Sequence, residues 1–266
     1  MPLLPCRKPE NFNFSSPQIA LQHIKILEKH QQIAKCSDAI VCAVKQFPSF
    51  SISFLALAQQ IFSNAKDKSR YNLYQERIYN FDIRPSDKVL DIGSGHIPFP
   101  LATHLADISL TDNMIGRAGA AFRQIKGRPT YECSVELTPF ADKEFDFVYC
   151  SHVLEHVPNP SQACKELIRI AKRGYIETPS KSKDIFLCSA IPSNHISYTE
   201  IRNGILTFNK YEKYELEGIG YNILQQMHSN PQTEREAAFS ALMYLFPLQV
   251  NTMILWEGSF QFNSSY

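Results

Sequence analysis

Apolar residues at helical spacing dominate the first third of the chain. Ile19, Ile26 and Ile33 recur every seven residues, as they would on one face of a helix. The pattern continues to about Asn80 and predicts four short helices, with Asp38 as a plausible cap of the second. Because four short helices cannot each close a core, we expect residues 1–84 to form an arm and a helical extension or lid that packs on the following domain.

Short apolar runs separated by helical stretches begin near residue 85. Val89–Ile92 is followed directly by glycines, which is typical of a buried parallel strand. Further strands are predicted at Ile108–Thr111, Phe147–Ser151 and Tyr175–Thr178, and helices at Met114–Gln124 and Pro160–Ala171. This alternation predicts an α/β fold over residues 85–266, with a Rossmann-like, doubly wound and mostly parallel sheet.

Turn signals replace this alternation after Pro179, and we expect residues 180–232 to form an insertion that covers the substrate. The signals are a type I′ hairpin sequence at Asn203-Gly204, a capping box at Thr233–Glu236 and a further hairpin around Glu257-Gly258. The carboxyl-terminal third is therefore expected to add hairpins and one helix to the domain.

Composition and charge narrow the range of partners. The formal net charge of +1 gives no electrostatic reason to expect a nucleic acid or an anionic membrane as partner. The seven cysteines form no C-x-x-C pair, which is typical of small buried residues in a reducing compartment. The amino terminus lacks a signal-peptide pattern and no run of 18 apolar residues occurs, so we expect a cytoplasmic protein.

The most informative segment is the glycine loop Gly93-Ser94-Gly95, which follows the first predicted strand of the sheet. Glycines let the backbone approach a ligand closely, and we expect the loop to open a helix near Phe99 whose amides face that ligand. Asp112 is predicted to follow the second strand, where a carboxylate accepts both hydroxyls of a ribose. These features fit an adenosine-containing ligand, although a glycine turn alone is also compatible with a purely structural role.

Five segments between about Lys88 and Thr178 resemble the class I S-adenosylmethionine-dependent methyltransferases, particularly the group called type 11. The segments are Val89–Gly95, Leu110–Met114, Cys133–Phe140, Glu144–Val157 and Gly174–Pro179, in the family's order and spacing. The resemblance implies a seven-stranded, mostly parallel sheet, S-adenosylmethionine as cofactor and methyl transfer as activity.

The resemblance also implies roles for single residues. The implied cofactor-binding residues are Asp91, Gly93, Ser94 and Gly95 around the methionine part, Asp112 and Asn113 at the ribose, Ser134, Val135 and Glu136 at the adenine, Ser151 beside the sulfonium, and Tyr71 as a lid, with Tyr74 as its alternative.

Two positions depart from the family pattern. Ile97 occupies the usual third glycine position, within a stiff proline-containing loop. Ser134 stands where an aspartate commonly accepts from the adenine amino group, and we expect this change to weaken binding rather than abolish it. The resemblance does not extend to the residues that would bind the methyl acceptor.

His152 and His195 are the candidate catalytic bases. Methyl transfer from a sulfonium mainly requires alignment, and a base is needed only when the acceptor must lose a proton, as a hydroxyl must. His152 follows the predicted strand Phe147–Ser151, beside the methyl group that the resemblance implies, and His195 follows the predicted strand Tyr175–Thr178. We expect one of them to act as base while a small molecule or short peptide is methylated, most readily at oxygen.

Other interpretations of the same residues remain open. His152, Glu155 and His156 match H-x-x-E-H, the inverted zinc-protease motif, but Pro158 leaves little room for the helix that this motif needs, and we expect no metal. A nicotinamide-dependent oxidoreductase would have glycine at Pro98. A third alternative is a methyltransferase-like scaffold that binds or regulates without transfer. The apolar amino-terminal helices could also form the surface of a homodimer.

Overall fold

The chain, seen in a computed structural model that describes residues 3–114, 117, 119–187, 194–212 and 224–264, forms two compact units. The first contains Met1–Pro5, Phe81–Ile219 and Val250–Tyr266, and the second contains Cys6–Asn80 and Gly220–Gln249. Residues 220–249 thus belong to the same unit as the amino-terminal helices, whereas the sequence placed them in the domain that begins at residue 85.

A six-stranded sheet of order β3-β2-β1-β4-β5-β8 forms the centre of the first unit. Its strands are β1 (Val89–Ile92), β2 (His104–Asp107), β3 (Thr130–Glu132), β4 (Phe145–Ser151), β5 (Ala171–Pro179) and β8 (Asn251–Glu257). The first five are parallel, and β8 pairs antiparallel with β5. The predicted mostly parallel α/β fold is confirmed, but the count of seven strands is wrong, because the sheet has six among the described residues.

Helix α5 (Pro160–Ile170) packs on one face of this sheet and matches the predicted helix to within one residue. Leu90 and Val148 point to this face from β1 and β4 and lie in one hydrophobic core with Leu167 of the helix. The side chain of Asn159 accepts from the backbone of the first turn and so caps the helix. Burial of this apolar stripe fixes α5 against the strands that end in the glycine loop and at Ser151.

Aromatic side chains cover the opposite face of the sheet. The rings of Phe99 and Tyr149 are stacked with centroids 4.2 Å apart. Phe81 lies 4.9 Å from Tyr175 and 5.6 Å from Phe147, measured between ring centroids. These rings pack against one another and contribute a large apolar area to this face.

The helix predicted to open near Phe99 does not form, because residues 93–103 make turns. Pro98 and Pro100 flank Phe99, and proline both lacks an amide donor and disfavours helical backbone in the residue before it. The helix predicted at Met114–Gln124 is also wrong for the described residues of that stretch, which form turns and irregular backbone.

A separate three-stranded sheet contains β6 (Ser197–Arg202), β7 (Ile205–Lys210) and β9 (Phe262–Ser264). Asn203 and Gly204 both have positive φ, +53° and +77°, so the predicted type I′ hairpin between β6 and β7 is confirmed. The predicted last hairpin is wrong: β8 joins the large sheet, whereas β9 pairs in parallel with β7.

Helices make up the second unit. They are α1 (Pro17–Lys29), α2 (Ile33–Gln46), α3 (Ser51–Asn64), α4 (Glu76–Ile78, after a π-helical turn at Tyr71–Gln75), α7 (Leu224–Ser229) and α8 (Glu234–Leu245). Helix α6 (Lys181–Leu187) belongs to the first unit, and α9 (Pro247–Val250) precedes β8. The capping box is confirmed, because Thr233 Oγ1 accepts from the Glu236 amide at 3.2 Å. Among the described residues, no helix is both long and apolar enough to cross a membrane.

Asp38 is a buried charge in the middle of α2, which corrects its prediction as a cap. Arg77 donates from Nε to Asp38 Oδ1 at 2.6 Å, and the amide of Glu10 donates to Oδ2 at 2.9 Å. Arg77 also donates to the carbonyl of Leu245 at the end of α8. This ion pair therefore connects the amino-terminal arm, α2 and α8 within the helical unit.

Glu166 of α5 holds the loop that the resemblance assigns to the adenine. Thr138 donates to Glu166 Oε1 from its amide and its hydroxyl, at 2.8 and 2.7 Å. Burial raises the pKa of Glu166, but the hydrogen bonds from Arg169 and Thr138 outweigh it and lower the pKa from 4.5 to about 2. The folded state therefore gains stability from the ionised carboxylate above its ordinary pKa and loses it as the pH falls toward 2.

We expect Glu166→Gln to lower the free energy of unfolding at neutral pH by about 2 kcal/mol, because hydrogen bonds to a charged group are lost. The difference from the wild type should shrink as the pH falls from 4.5 to 2, measured by urea unfolding across that range. Glu257→Gln, at an exposed position on β8, is the matched control and should stay within about 0.5 kcal/mol. Identical pH dependence in wild type and Glu166→Gln would contradict this assignment.

Candidate cofactor and active site

The carboxyl ends of the parallel strands meet at one edge of the sheet, where open α/β sheets bind ligands. β1 ends at Ile92, β2 at Asp107, β4 at Ser151 and β5 at Pro179. The segments that follow these strands carry most of the predicted site residues.

The glycine loop after β1 has the backbone that its sequence predicts. Gly93 and Gly95 have φ of +75° and +57°. A Cβ on Gly93 would lie 2.2 Å from a methyl group of Val153, so the loop approaches the turn after β4 too closely for any side chain. Asp91 accepts from the amide of Phe99 at 2.7 Å and thereby holds the far end of the loop. Its role at the methionine part of a cofactor, which the resemblance implies, stays a prediction.

Asp107, which the sequence prediction missed, is the acid at the end of β2. The strand occupies His104–Asp107 rather than the predicted Ile108–Thr111, because Leu105 is buried in the sheet whereas Ile108 is 53% exposed. The prediction that Asp112 follows the second strand directly is therefore wrong. An acid at the end of the short His104–Asp107 run was the signal in the sequence that could have identified it.

Arg117 neutralises Asp107. The two side chains form a buried ion pair of 3.0 Å, and Asp107 Oδ2 accepts from the amide of Gly95 at 2.9 Å. Arg117 also donates to the carbonyls of Ser109 and Asp112, at 2.6 and 2.5 Å. A carboxylate has about four lone-pair sites, so Asp107 retains acceptor capacity beyond these contacts.

Asp112 and Asn113 lie in the turn after β2. Asp112 is exposed, and its Oδ1 accepts from the amide of Met114 at 2.8 Å. Asn113 is partly exposed, and its carbonyl accepts from the amide of Gly119. Arg117 contacts both Asp107 and the carbonyl of Asp112, and so links this turn to the strand end beside the glycine loop. Asp112 and Asn113 lie on the exposed side of that loop.

The turn Ser134–Glu136 follows β3. Ser134 Oγ accepts from the amide of Glu136 at 3.1 Å, so this hydroxyl stabilises its own turn. Val135 is buried in the hydrophobic core, and Glu136 accepts from the amide of Asn159 at 2.7 Å. The turn is therefore fixed to the start of α5, and its role at an adenine stays a prediction.

Two buried hydroxyls at the edge of the sheet have no hydrogen-bond partner among the described residues. They are Ser94 Oγ in the glycine loop and Ser151 Oγ at the end of β4. A buried unsatisfied hydroxyl costs free energy in the absence of a ligand, so both atoms are candidates for contacts with a polar ligand.

His152 begins the turn after β4 in a left-handed conformation, with φ of +57°. Its Nε2 lies 3.2 Å from Glu177 Oε1, and its Nδ1 lies 3.3 Å from Glu155 Oε1. Tyr175 donates to the other oxygen of Glu177. Both ring nitrogens of His152 thus face carboxylates, so in this arrangement neither is directed at an acceptor.

His195 lies in the same cluster. Its Nδ1 is 2.9 Å from Asp184 Oδ2, and its ring meets that of His156 edge to face, with centroids 4.7 Å apart. Burial lowers the pKa of His195, but Asp184 and Glu155 outweigh it and raise the pKa. Burial lowers the pKa of His156. The structure therefore brings the two predicted bases together around Glu155, which the sequence prediction did not assign to this site.

Tyr71 and Tyr74 lie in the π-helical turn of the helical unit, where Tyr71 is half-buried and Tyr74 is buried. Burial, reinforced by Glu76, raises the pKa of Tyr71. Their proposed action as a lid stays a prediction.

Residues 90–176 match the family model of the type 11 methyltransferase domain, which confirms the resemblance and supports S-adenosylmethionine as cofactor. The chain is 32% identical over 103 residues to the ubiquinone/menaquinone biosynthesis C-methyltransferase UbiE of Xylella fastidiosa (strain M12), covering 35% of this chain and 41% of that relative. It is 25% identical over 167 residues to a ubiquinone biosynthesis O-methyltransferase of Aromatoleum aromaticum, covering 53% and 71%. The chain thus spans less than half the length of the UbiE relative.

Two solved structures are also similar. They are S-adenosylmethionine-dependent methyltransferases from Mesorhizobium loti, with 20% identity and a TM-score of 0.29 over 50% of this chain and 60% of that one, and from Thermotoga maritima, with 21% identity and a TM-score of 0.31 over 53% and 61%.

The two loop glycines provide a matched pair of variants. Gly95→Ala introduces only the strain of positive φ, about 1 kcal/mol, because its Cβ would meet no atom closer than 3.9 Å. Gly93→Ala adds the contact with Val153, and overpacking of this kind costs about 1–3 kcal/mol more. Urea unfolding should therefore give a lower free energy of unfolding for Gly93→Ala than for Gly95→Ala. Adding Val153→Ala to the Gly93→Ala variant should restore part of the lost free energy. Equal stability of the two single variants would contradict the described loop.

Proposed function

We propose, from the membership of residues 90–176 in the methyltransferase domain family, that the chain is an S-adenosylmethionine-dependent methyltransferase that modifies a small molecule or short peptide. The main observation in support of this proposal is the glycine loop at the carboxyl end of β1, in which both glycines adopt positive φ. The loop leaves the backbone open to close approach by a ligand at the edge where α/β sheets bind nucleotides.

The residues at this edge fit the cofactor. Ser94 and Ser151 offer buried hydroxyls that lack protein partners among the described residues. Asp107 offers a carboxylate that Arg117 and Gly95 already hold in place, and such fixed acceptors suit a ribose diol. When bound, S-adenosylmethionine supplies a methyl group already activated by its sulfonium, so the chain's task is to orient the acceptor and exclude water.

Oxygen is the proposed target atom. The named relatives include one carbon and one oxygen methyltransferase, so they support neither atom over the other. Two histidines, His152 and His195, lie in one cluster beside the end of β4, and His152 must turn a ring nitrogen away from Glu155 or Glu177 to reach an acceptor. A histidine near an acceptor hydroxyl can take its proton at neutral pH, which favours oxygen.

Isothermal titration with S-adenosylhomocysteine tests the cofactor. We expect micromolar binding to the wild type and at least tenfold weaker binding to Asp107→Asn, equivalent to about 1.4 kcal/mol, because the acid at the end of β2 is proposed to hold the ribose. Asp112→Asn is the matched control and should change the affinity by less than about threefold.

Three outcomes would contradict parts of this proposal. A loss confined to Asp112→Asn would assign the ribose to Asp112, as the sequence predicted. No binding to a folded wild type would favour the scaffold without transfer. Thermal stabilisation by a nicotinamide nucleotide and none by S-adenosylhomocysteine would favour an oxidoreductase.

The base hypothesis is tested by methyl transfer from labelled S-adenosylmethionine to a panel of phenols and aliphatic alcohols. Removing the general base should lower turnover by about 100-fold or more, so His152→Ala or His195→Ala is expected to show that loss. If both variants keep wild-type turnover on an acceptor that the wild type methylates, neither histidine is the base.

A further inference from the structure

Glu155 is a fully buried acid in the histidine cluster, as is Glu177. Among the described residues, neither oxygen of Glu155 makes a hydrogen bond of standard geometry, and His152 Nδ1 lies 3.3 Å from its Oε1. An ionised carboxylate that lacks hydrogen bonds is expensive to bury, so this position requires nearby positive charge.

Besides His152, two further histidines lie near Glu155, and each has one ring nitrogen beside an oxygen of another residue. His156 Nδ1 lies 3.2 Å from the carbonyl of Asn194, and its Nε2 lies 3.9 Å from Glu155 Oε1. His195 Nδ1 lies 2.9 Å from the carboxylate of Asp184. One possible ligand atom from each of Glu155, His156 and His195 lies within 4.8 Å of the other two.

This pattern is that of a metal site. In a histidine that binds a metal, the N–H of the second ring nitrogen usually donates a hydrogen bond to a carbonyl or carboxylate oxygen, which fixes the tautomer. Two histidines and one carboxylate are also a recurrent ligand set of zinc in which a coordination position stays open. Ligand atoms around a tetrahedral zinc ion are about 3.3 Å apart, so side-chain rotations that shorten these separations by up to about 1.5 Å would complete the site.

We propose that Glu155, His156 and His195 bind a divalent metal ion of the zinc type. His156 and His195 are partly exposed, at 24% and 18%, so an ion can reach the site, whereas Glu155 supplies the buried negative charge. Three protein ligands leave at least one position for a further oxygen or nitrogen ligand. The inference does not depend on cofactor binding, because it uses only the contacts of this cluster. A metal ion on His195 would exclude this histidine as the base and leave His152 as the candidate.

The arrangement differs from the inverted zinc-protease motif that the sequence matches. Leu154–His156 is a single turn of 3₁₀-helix, so His152 and His156 do not share the face of an α-helix. His152 faces Glu177 with its Nε2 instead. His195, 39 residues beyond His156, takes the place of the second histidine of that motif.

The test is zinc titration of the 266-residue protein after treatment with a chelator, in competition with a chromophoric zinc indicator. We expect one zinc ion per chain, and a loss of affinity of about 100-fold or more in Glu155→Gln and in His195→Ala. Asp184→Asn, which removes the carboxylate that supports His195 and also accepts from Tyr211, should weaken binding by about 10–100-fold. His30→Ala, at an exposed position after α1, is the histidine control and should bind like the wild type.

Circular dichroism shows which variants are folded, and His195→Ala decides the test if Glu155→Gln fails to fold. Cobalt(II) in place of zinc adds a second readout, since its visible absorption reports the ligand geometry and should change in His195→Ala.

The proposal is overturned if the wild type binds no zinc, or if folded His195→Ala binds it with wild-type affinity. Glu155 would then be neutralised by protonated histidines alone. Binding of S-adenosylhomocysteine is measured without metal, so failure of either proposal leaves the other standing.

Discussion

The carboxylate of Asp107 holds the glycine loop in the position on which the proposed cofactor site depends. No helix follows β1, so the loop cannot rely on a helix terminus for its shape. Instead Asp107 accepts from Gly95, and Asp91 accepts from Phe99 further along. Arg117 compensates the buried charge, and breaking a buried pair of this kind costs about 3–5 kcal/mol. Two carboxylates thus replace a helix in ordering this backbone.

Side chains, rather than a helix directly after β1, also lie on the face of the sheet behind this loop. A stiff loop with prolines on both sides of Phe99 cannot continue as a helix, and the ring of Phe99 stacks on Tyr149 instead. Phe81 and Tyr175 extend the aromatic layer toward β5. The sheet is therefore buried on both faces, by α5 on one side and by aromatic rings on the other.

Buried charge also organises the other end of this edge. Glu155 and Glu177 lie on either side of His152, and neither side chain is exposed to solvent. Carboxylates in such positions restrict the conformations that neighbouring histidines can adopt, since each ring nitrogen must face a complementary group. The left-handed backbone of His152 fits this constraint, because it turns the ring back between the two acids. Charge pairs thus occur at both ends of this edge, with Asp107 and Arg117 at the glycine loop and His152 between Glu155 and Glu177 after β4.

The sequence alone determined the features that depend on local patterns. Apolar runs gave β1, β4, β5 and α5, and turn chemistry gave the Asn203-Gly204 hairpin, because these signals act over a few residues. The end of β2 was misplaced by several residues, since the runs around Asp107 and Asp112 are too short for periodicity to separate them. Only the tertiary structure showed that Arg117 pairs with Asp107, because no periodic pattern marks a contact between a strand end and a side chain ten residues later. Only the tertiary structure showed that His195 meets Glu155, because these distant residues are brought together by the order of strands in the sheet.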